Sequence, residues 1–173
     1  MQSYLITSKE LSHKQLEQYQ PSYALYRDKT NSEYDKNAQE FIKECFKFKN
    51  LKSFLHQKID LAKELKATGV HLSSQQFDDI KYAKSLGLEV IISTHTHDEV
   101  LKAQKLGADA VVYGPVFSTP GKGAAKGIED LKELVCKSTI KIFGLGGIID
   151  KSNIEMIEST QAYGFASIRY FEV

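Results

Sequence analysis

Five basic side chains stand at or just beyond the ends of short apolar runs in this sequence. Arg27 ends the run "YALYR" and Lys29 follows it, while Lys58 comes shortly after "KSFLH". Lys122 lies in the loop after "ADAVVYG", and Arg169 lies near the end of the last run. Guanidinium and ammonium groups donate strong hydrogen bonds to phosphate oxygens. The set therefore predicts a site for a small phosphate or pyrophosphate ligand.

Small polar residues and glycines occur at equivalent places. Ser93 and His95 lie at the end of "LEVIIST", and Thr119 lies in the loop "GPVFSTPGKG". Gly146 and Gly147 belong to "GLGGI", where glycines let backbone N–H groups approach phosphate oxygens without a Cβ in the way. We expect these residues to bind substrate or phosphate together with the basic side chains.

Candidate metal ligands are few. His95 and His97 have a spacing that could ligate a metal from a strand, but no third ligand is evident. Asp78 and Asp79 are the weak candidates, and acids in the first turn of a helix also favour its dipole. The residues by themselves therefore predict no metal site. His71 lies inside an apolar run, which is more typical of a packed, hydrogen-bonded histidine than of a base.

The elements that must position these residues alternate along the chain. Polar segments with helical spacing separate the apolar runs; one of them, residues 33–50, offers Ala38, Phe41, Ile42, Cys45 and Phe46 as an apolar face. Such alternation is typical of a parallel sheet with right-handed crossovers. The eight runs are residues 3–7, 23–27, 52–56, 69–73, 88–94, 108–114, 139–146 and 162–170. They favour a (β/α)₈ TIM barrel over a doubly wound sheet, in a single domain spanning 1–173.

The barrel should be compact. TIM barrels usually have about 200 residues or more, whereas this chain has 173 residues and its last run is followed by only a few. We therefore expect a barrel that lacks the last helix. A gap in the outer ring would expose apolar barrel surface and favour a homo-oligomer. In such barrels the site forms at the carboxyl ends of the strands, which is where the candidate residues fall.

Composition excludes several classes of partner. The net charge is +1, so no global attraction to nucleic acid or an anionic membrane is expected. No stretch approaches the roughly 18 apolar residues of a membrane helix, and the N-terminus has no basic leader, so we predict a cytoplasmic protein. Cys45 and Cys136 match no metal spacing and are expected to act as small core residues.

Several segments together resemble one family. "GVHL", then "STHTHDEVLKAQKLGADAVVYGPVFSTPGKG", then "IFGLGGI" is similar to the thiamine-phosphate synthase/TenI family, in the same order over nearly the whole chain. The similarity is most specific from Ser93 to Gly147. It implies a (β/α)₈ barrel, in agreement with the strand count.

The resemblance also implies a reaction of thiamine biosynthesis. The synthase is a transferase that joins hydroxymethylpyrimidine diphosphate to thiazole phosphate and releases pyrophosphate. The family's R-x-K pair, which helps to bind the pyrophosphate, falls on Arg27 and Lys29, and its loop lysine falls on Lys122. These three are the implied catalytic residues, because cations matter most where negative charge builds up on the leaving group.

Other family positions imply contacts to substrate. The serine at the end of strand five falls on Ser93, and the loop threonine falls on Thr119. The glycine pair that receives the thiazole phosphate falls on Gly146 and Gly147.

Departures from the family pattern concern mainly the metal. The synthase binds Mg²⁺ with aspartates after strands three and four, where this chain has Gln57 and "SSQQ". Losing two carboxylates should weaken Mg²⁺ binding badly unless Asp78 or Asp79 reaches back. Arg169 replaces the serine expected after strand eight.

Three functions remain open at this point. The first is a synthase, with full or reduced activity. The second is a TenI-like enzyme that processes thiazole phosphate; that branch has a catalytic histidine where this chain has Pro115, so His71 or His95 would have to act as the base. The third is a binding or regulatory protein for thiamine phosphate or thiazole phosphate without catalysis.

Overall fold

Eight parallel strands, β1 to β8 in chain order, close into a barrel. The computed structural model describes residues 1–172. The strands are β1 Gln2–Thr7, β2 Tyr23–Tyr26, β3 Lys52–His56, β4 Gly69–Leu72, β5 Glu89–Thr94, β6 Ala110–Tyr113, β7 Lys141–Leu145 and β8 Gly164–Ser167. Each strand pairs with its neighbours in the chain, and β1 pairs with β8 to complete the circle. The predicted (β/α)₈ barrel is confirmed.

Helices surround the barrel on the outside. Within residues 1–172 they are α1 His13–Tyr19, α2 Tyr34–Cys45, α3 Ile59–Glu64, α4 Ile80–Ser85, α5 His97–Leu106, α6 Ile128–Lys137 and α7 Lys151–Ser159. Short 3₁₀ helices span Phe77–Asp79 before α4 and Arg169–Phe171 after β8. No α-helix follows β8 in the described part of the chain, as predicted. None of the helices there is long and apolar enough to span a membrane.

The prediction of a core position is wrong for two residues, Phe46 and Cys136. Helix α2 buries Ala38, Phe41, Ile42 and Cys45, but it ends at Cys45, so Phe46 is 61% exposed. Cys136 is exposed on α6, because it lies off the face that buries Leu131 and Leu134. Only Cys45 behaves as the core residue expected.

The place of the last α-helix is filled by the 3₁₀ helix after β8. The predicted eighth run was too long, since β8 ends at Ser167 and the chain then turns. Phe171 stacks on Phe165 with ring centroids 5.9 Å apart, and Tyr19 of α1 meets Phe171 edge-on. Phe171 is 1% exposed and Phe165 5% exposed. The expected apolar gap in the outer ring is therefore covered within the chain itself, and the argument for a homo-oligomer that rested on this gap is lost.

Phe171 should contribute strongly to stability. Replacement by alanine, Phe171→Ala, removes a buried ring and leaves a cavity, which typically costs about 3–5 kcal/mol. Phe46→Ala is the matched control, since that ring is largely exposed and its loss should change stability by less than about 0.5 kcal/mol. Urea unfolding of both variants measures this, and equal effects would contradict the role given to Phe171.

The barrel interior is layered because alternate side chains of a strand point to the same face. A lower layer contains four aromatic rings, Tyr4, Tyr23, Phe54 and Phe143, in edge-on, tilted or stacked contact at 5.0–5.8 Å. The residues two positions further along the same strands are Ile6, Leu25, His56 and Leu145, and these line a cavity above the rings. The aromatic layer is thus the support on which the cavity rests.

Candidate functional site

A cavity of about 560 Å³ opens at the carboxyl end of the barrel, and all eight strands or the loops after them contribute to its wall. Apolar side chains of the upper interior layer, Ile6, Leu25, Val112 and Leu145, form its deep part. Polar side chains from the loops form its mouth. A largely apolar cleft with a few polar groups at fixed places is typical of small-molecule sites.

The structure places nine residues predicted from the sequence in this one cavity. They are Arg27, Lys29, Ser93, His95, Thr119, Lys122, Gly146, Gly147 and Arg169. Asp78 and Asp79 lie outside it, in the 3₁₀ helix before α4. The catalytic or binding roles of the nine lining residues stay predictions. The fold shows that these nine residues line the same cavity.

The charged side chains of the cavity wall are all basic. Arg27, Lys29, Lys122 and Arg169 line it, and none of the lining residues in the described chain is Asp or Glu. The backbone N–H of Arg27 donates to the Thr7 carbonyl at 2.8 Å, which continues the β1–β2 ladder by one residue and fixes where this side chain starts. A concave surface with uncompensated positive charge attracts anions.

A hydrogen-bond chain links the aromatic layer to the cavity wall. Tyr4 Oη lies 3.0 Å from His71 Nδ1, and His71 Nε2 lies 2.9 Å from Ser93 Oγ. Burial, with smaller contributions from His56 and Arg27, lowers the pKa of His71 to about 3. His71 is therefore neutral near physiological pH and carries a single N–H.

The burial of Tyr4 determines which atoms donate and which accept in these two hydrogen bonds. Tyr4 is fully buried, and a buried hydroxyl proton without an acceptor costs about 1–3 kcal/mol. Tyr4 therefore donates to His71 Nδ1, which leaves the imidazole proton on Nε2 to donate to Ser93. The Ser93 hydroxyl can then donate its own proton into the cavity. His71 in this tautomer orients Ser93 as a donor and is not its base.

His56 is the second neutral histidine of the wall. Its ring centroid lies 6.1 Å from that of His71. Burial, then the charges of Arg27 and Lys29, lower the pKa of His56 to about 4. The positive charge of the cavity therefore comes from its Arg and Lys side chains and not from the two histidines.

Stability should depend on pH through His71. The ordinary pKa of 6.5 is lowered to about 3 on folding, so the stabilisation is present above about pH 6.5 and is lost progressively as the unfolded chain takes up a proton below it. His71 alone should reduce the free energy of unfolding by about 2 kcal/mol between about pH 7 and about pH 5.

Urea titrations at both pH values measure this effect in the wild type and in His71→Asn, which keeps a polar side chain but cannot titrate. The variant should be less stable near neutrality and should show a flatter dependence on pH. The same pH dependence in both proteins would contradict the assignment.

The loop after β6 is clamped onto the end of β7. Backbone N–H groups of Val116 and Phe117 donate to the carbonyls of Leu145 and Gly146 at 2.8 and 3.0 Å. Gly146 has φ 104°, and a Cβ there would lie 2.7 Å from Pro115. Only glycine allows this approach, which sets the base of the loop that carries Lys122.

Comparisons with known proteins identify the family of this chain. The family profile described as thiamine monophosphate synthase (TMP-TENI) matches residues 4–171. The chain belongs to this family. A thiamine-phosphate synthase of Methanosarcina barkeri is 33% identical over 153 residues, which cover 83% of this chain and 67% of that protein. One of Syntrophomonas wolfei is 37% identical over 120 residues, which cover 66% of this chain and 56% of that protein.

A solved structure gives the same fold. The thiamine phosphate pyrophosphorylase from Pyrococcus furiosus superposes with a TM-score of 0.83 at 24% identity, covering 96% of this chain and 85% of that one. At this identity the likeness concerns the barrel architecture alone. The identities with the synthases and the family profile carry the assignment to the thiamine monophosphate synthase family.

Some lining residues of this family member were not predicted from the sequence. Ser167 and Ile168 line the cavity, but the predicted eighth run extended through them to residue 170. Ser167 Oγ donates to the Ile148 carbonyl at 2.8 Å and accepts from the Tyr170 N–H at 3.1 Å, so it ties the loop after β7 to the turn that carries Arg169. The signal that was available is the change from apolar residues to serine at position 167.

The wall of the cavity does not fit the Mg²⁺ that the family resemblance implies. Mg²⁺ is usually held by carboxylates, and the lining contains none. Residues 1–172 contain no group of three His, Cys, Asp or Glu side chains arranged to hold a metal ion. Gln57 lies outside the cavity, and so does Gln76, which stands where the resemblance implies an acid after strand four; Ser73 and Ser74 line the cavity.

Proposed function

We propose that this chain condenses hydroxymethylpyrimidine diphosphate with thiazole phosphate and releases pyrophosphate. The observation that carries the proposal is the cavity that combines a basic mouth with an apolar floor, in a chain of the thiamine monophosphate synthase family. Both substrates have an uncharged heterocycle joined to a phosphate group. The apolar floor suits the heterocycles, and the basic mouth suits the phosphate groups.

The basic residues support the bond-breaking step. As the bond between the pyrimidine methylene carbon and the diphosphate oxygen breaks, the electron pair leaves with pyrophosphate and the carbon becomes electron-poor. Arg27, Lys29 and Lys122 line the cavity and would stabilise the charge that develops on the leaving group. The thiazole nitrogen then supplies the electron pair for the new carbon–nitrogen bond.

The floor supports placement of the rings. Leu25, Val112 and Leu145 offer apolar surface to the heterocycles. Ser93, held by His71, offers one hydroxyl proton to a ring nitrogen or a phosphate oxygen. A group fixed in this way loses little entropy on binding and helps to keep the two substrates in a reactive orientation.

Formation of thiamine phosphate from the two substrates tests the proposal. Lys122→Ala should reduce kcat/KM by about 100-fold or more, comparable to the loss of one preorganised group at developing charge. Lys126→Ala is the matched control, since Lys126 is in the same loop but does not line the cavity, and it should keep near-normal activity. No product at high protein concentration would overturn the proposal.

The TenI-like alternative has one supporting observation. His95 lines the cavity, and its Nδ1 is 3.1 Å from the Gly114 carbonyl, which places a proton on Nδ1 and makes Nε2 the ring atom available to a ligand. Processing of thiazole phosphate that is lost in His95→Gln, without any thiamine phosphate synthesis, would favour this function instead.

A further inference from the structure

We propose that the cavity binds its diphosphate ligand as the free anion, without a bridging divalent cation. The inference rests on the proposed function, because it takes a diphosphate as the ligand of this site. It concerns how the charge of that ligand is balanced. In this chain Arg27, Lys29, Lys122 and Arg169 would balance it directly.

The first argument is the chemistry of the wall. Besides the four cationic side chains, its polar groups are hydroxyls, histidines and backbone, and the lowered pKa values of His56 and His71 keep these two rings neutral. Hydroxyl oxygens are poor replacements for the carboxylates that hold Mg²⁺. A divalent cation would also enter a space already occupied by like charge, which disfavours it. Free pyrophosphate carries more negative charge than its Mg²⁺ complex and is the better electrostatic match.

The second argument is that two acids close in the chain to lining residues, Asp79 and Asp28, are engaged elsewhere. Gln76 Oε1 accepts from the Ser73 backbone N–H at 3.1 Å, and Gln76 Nε2 donates to Asp79 Oδ2 at 3.0 Å. This chain of contacts holds Asp79 on the helical side of the loop. Asp28 Oδ1 accepts from the N–H and the hydroxyl of Thr30 at 3.1 and 3.2 Å, so its carboxylate caps its own turn.

The experiment is a calorimetric titration of the protein with pyrophosphate, first in EDTA and then with Mg²⁺ in excess over the ligand, at matched ionic strength. We expect binding in EDTA and an apparent Kd that rises about tenfold with Mg²⁺, since the metal removes free pyrophosphate from solution. Binding only with Mg²⁺, tighter binding with Mg²⁺, or no binding in either buffer would overturn the inference. The readout is independent of turnover, so failure of thiamine phosphate synthesis would be seen separately.

A pair of variants tests the charge argument directly. Ser74 lines the cavity after β4; Ser74→Asp adds a carboxylate there, and Ser74→Asn adds a side chain of nearly the same shape without charge. Ser74→Asp should weaken metal-free binding by about tenfold, equivalent to about 1.4 kcal/mol, and Mg²⁺ should restore part of it. Ser74→Asn should show neither effect. Equal behaviour of the two correctly folded variants would contradict the account.

Discussion

Alternation of side chains along eight parallel strands in a closed barrel is the constraint on which the rest of this structure depends. It divides each strand between an outer face that packs against helices and an inner face that builds layers. On β1 and β3 the aromatic layer, at Tyr4 and Phe54, lies two residues before the cavity wall, at Ile6 and His56. The same spacing of two residues continues beyond the end of β2, from Leu25 in the floor of the cavity to Arg27 at its mouth. Floor and mouth are therefore successive layers of inward-facing side chains.

The hydrogen bonds from Tyr4 through His71 to Ser93 connect the aromatic layer to the polar wall of the cavity. Tyr4 belongs to the hydrophobic layer by its ring and to the polar layer by its hydroxyl, which lies 3.0 Å from His71. Removing water from this pair keeps the imidazole neutral and fixes its proton on Nε2. The apolar interior thus sets the orientation of a hydroxyl that faces the cavity, although none of the four rings of the aromatic layer lines the cavity itself.

The sequence predicted the barrel because eight apolar runs alternate with helical segments, and strand ends located the candidate residues without any side-chain geometry. It could not predict contacts that depend on remote neighbours. Tyr4 and His71 are 67 positions apart, so the proton on Nε2 becomes evident only from their distance. Phe171 likewise covers the outer ring through packing on Phe165, which a run of apolar residues near the C-terminus does not specify.

The cationic side chains of the proposed anion site and the positions where the resemblance implies metal ligands lie on different loops of this barrel. The loops after β2 and β6 supply Arg27 and Lys122, and the loop after β6 is anchored by backbone hydrogen bonds to the end of β7. The loop after β3, with Gln57 and Lys58, does not line the cavity. The loop after β4 lines it with Ser73 and Ser74, and Gln76 takes the acceptor and donor roles that hold that segment together. Because the cations and the serines belong to separate loops, a substitution in the loop after β4 leaves the cationic side chains of the other loops in place. A site built this way can lose its metal ligands and keep an electrostatic match to a phosphate ester, provided that the basic side chains neutralise the charge that the metal would otherwise share.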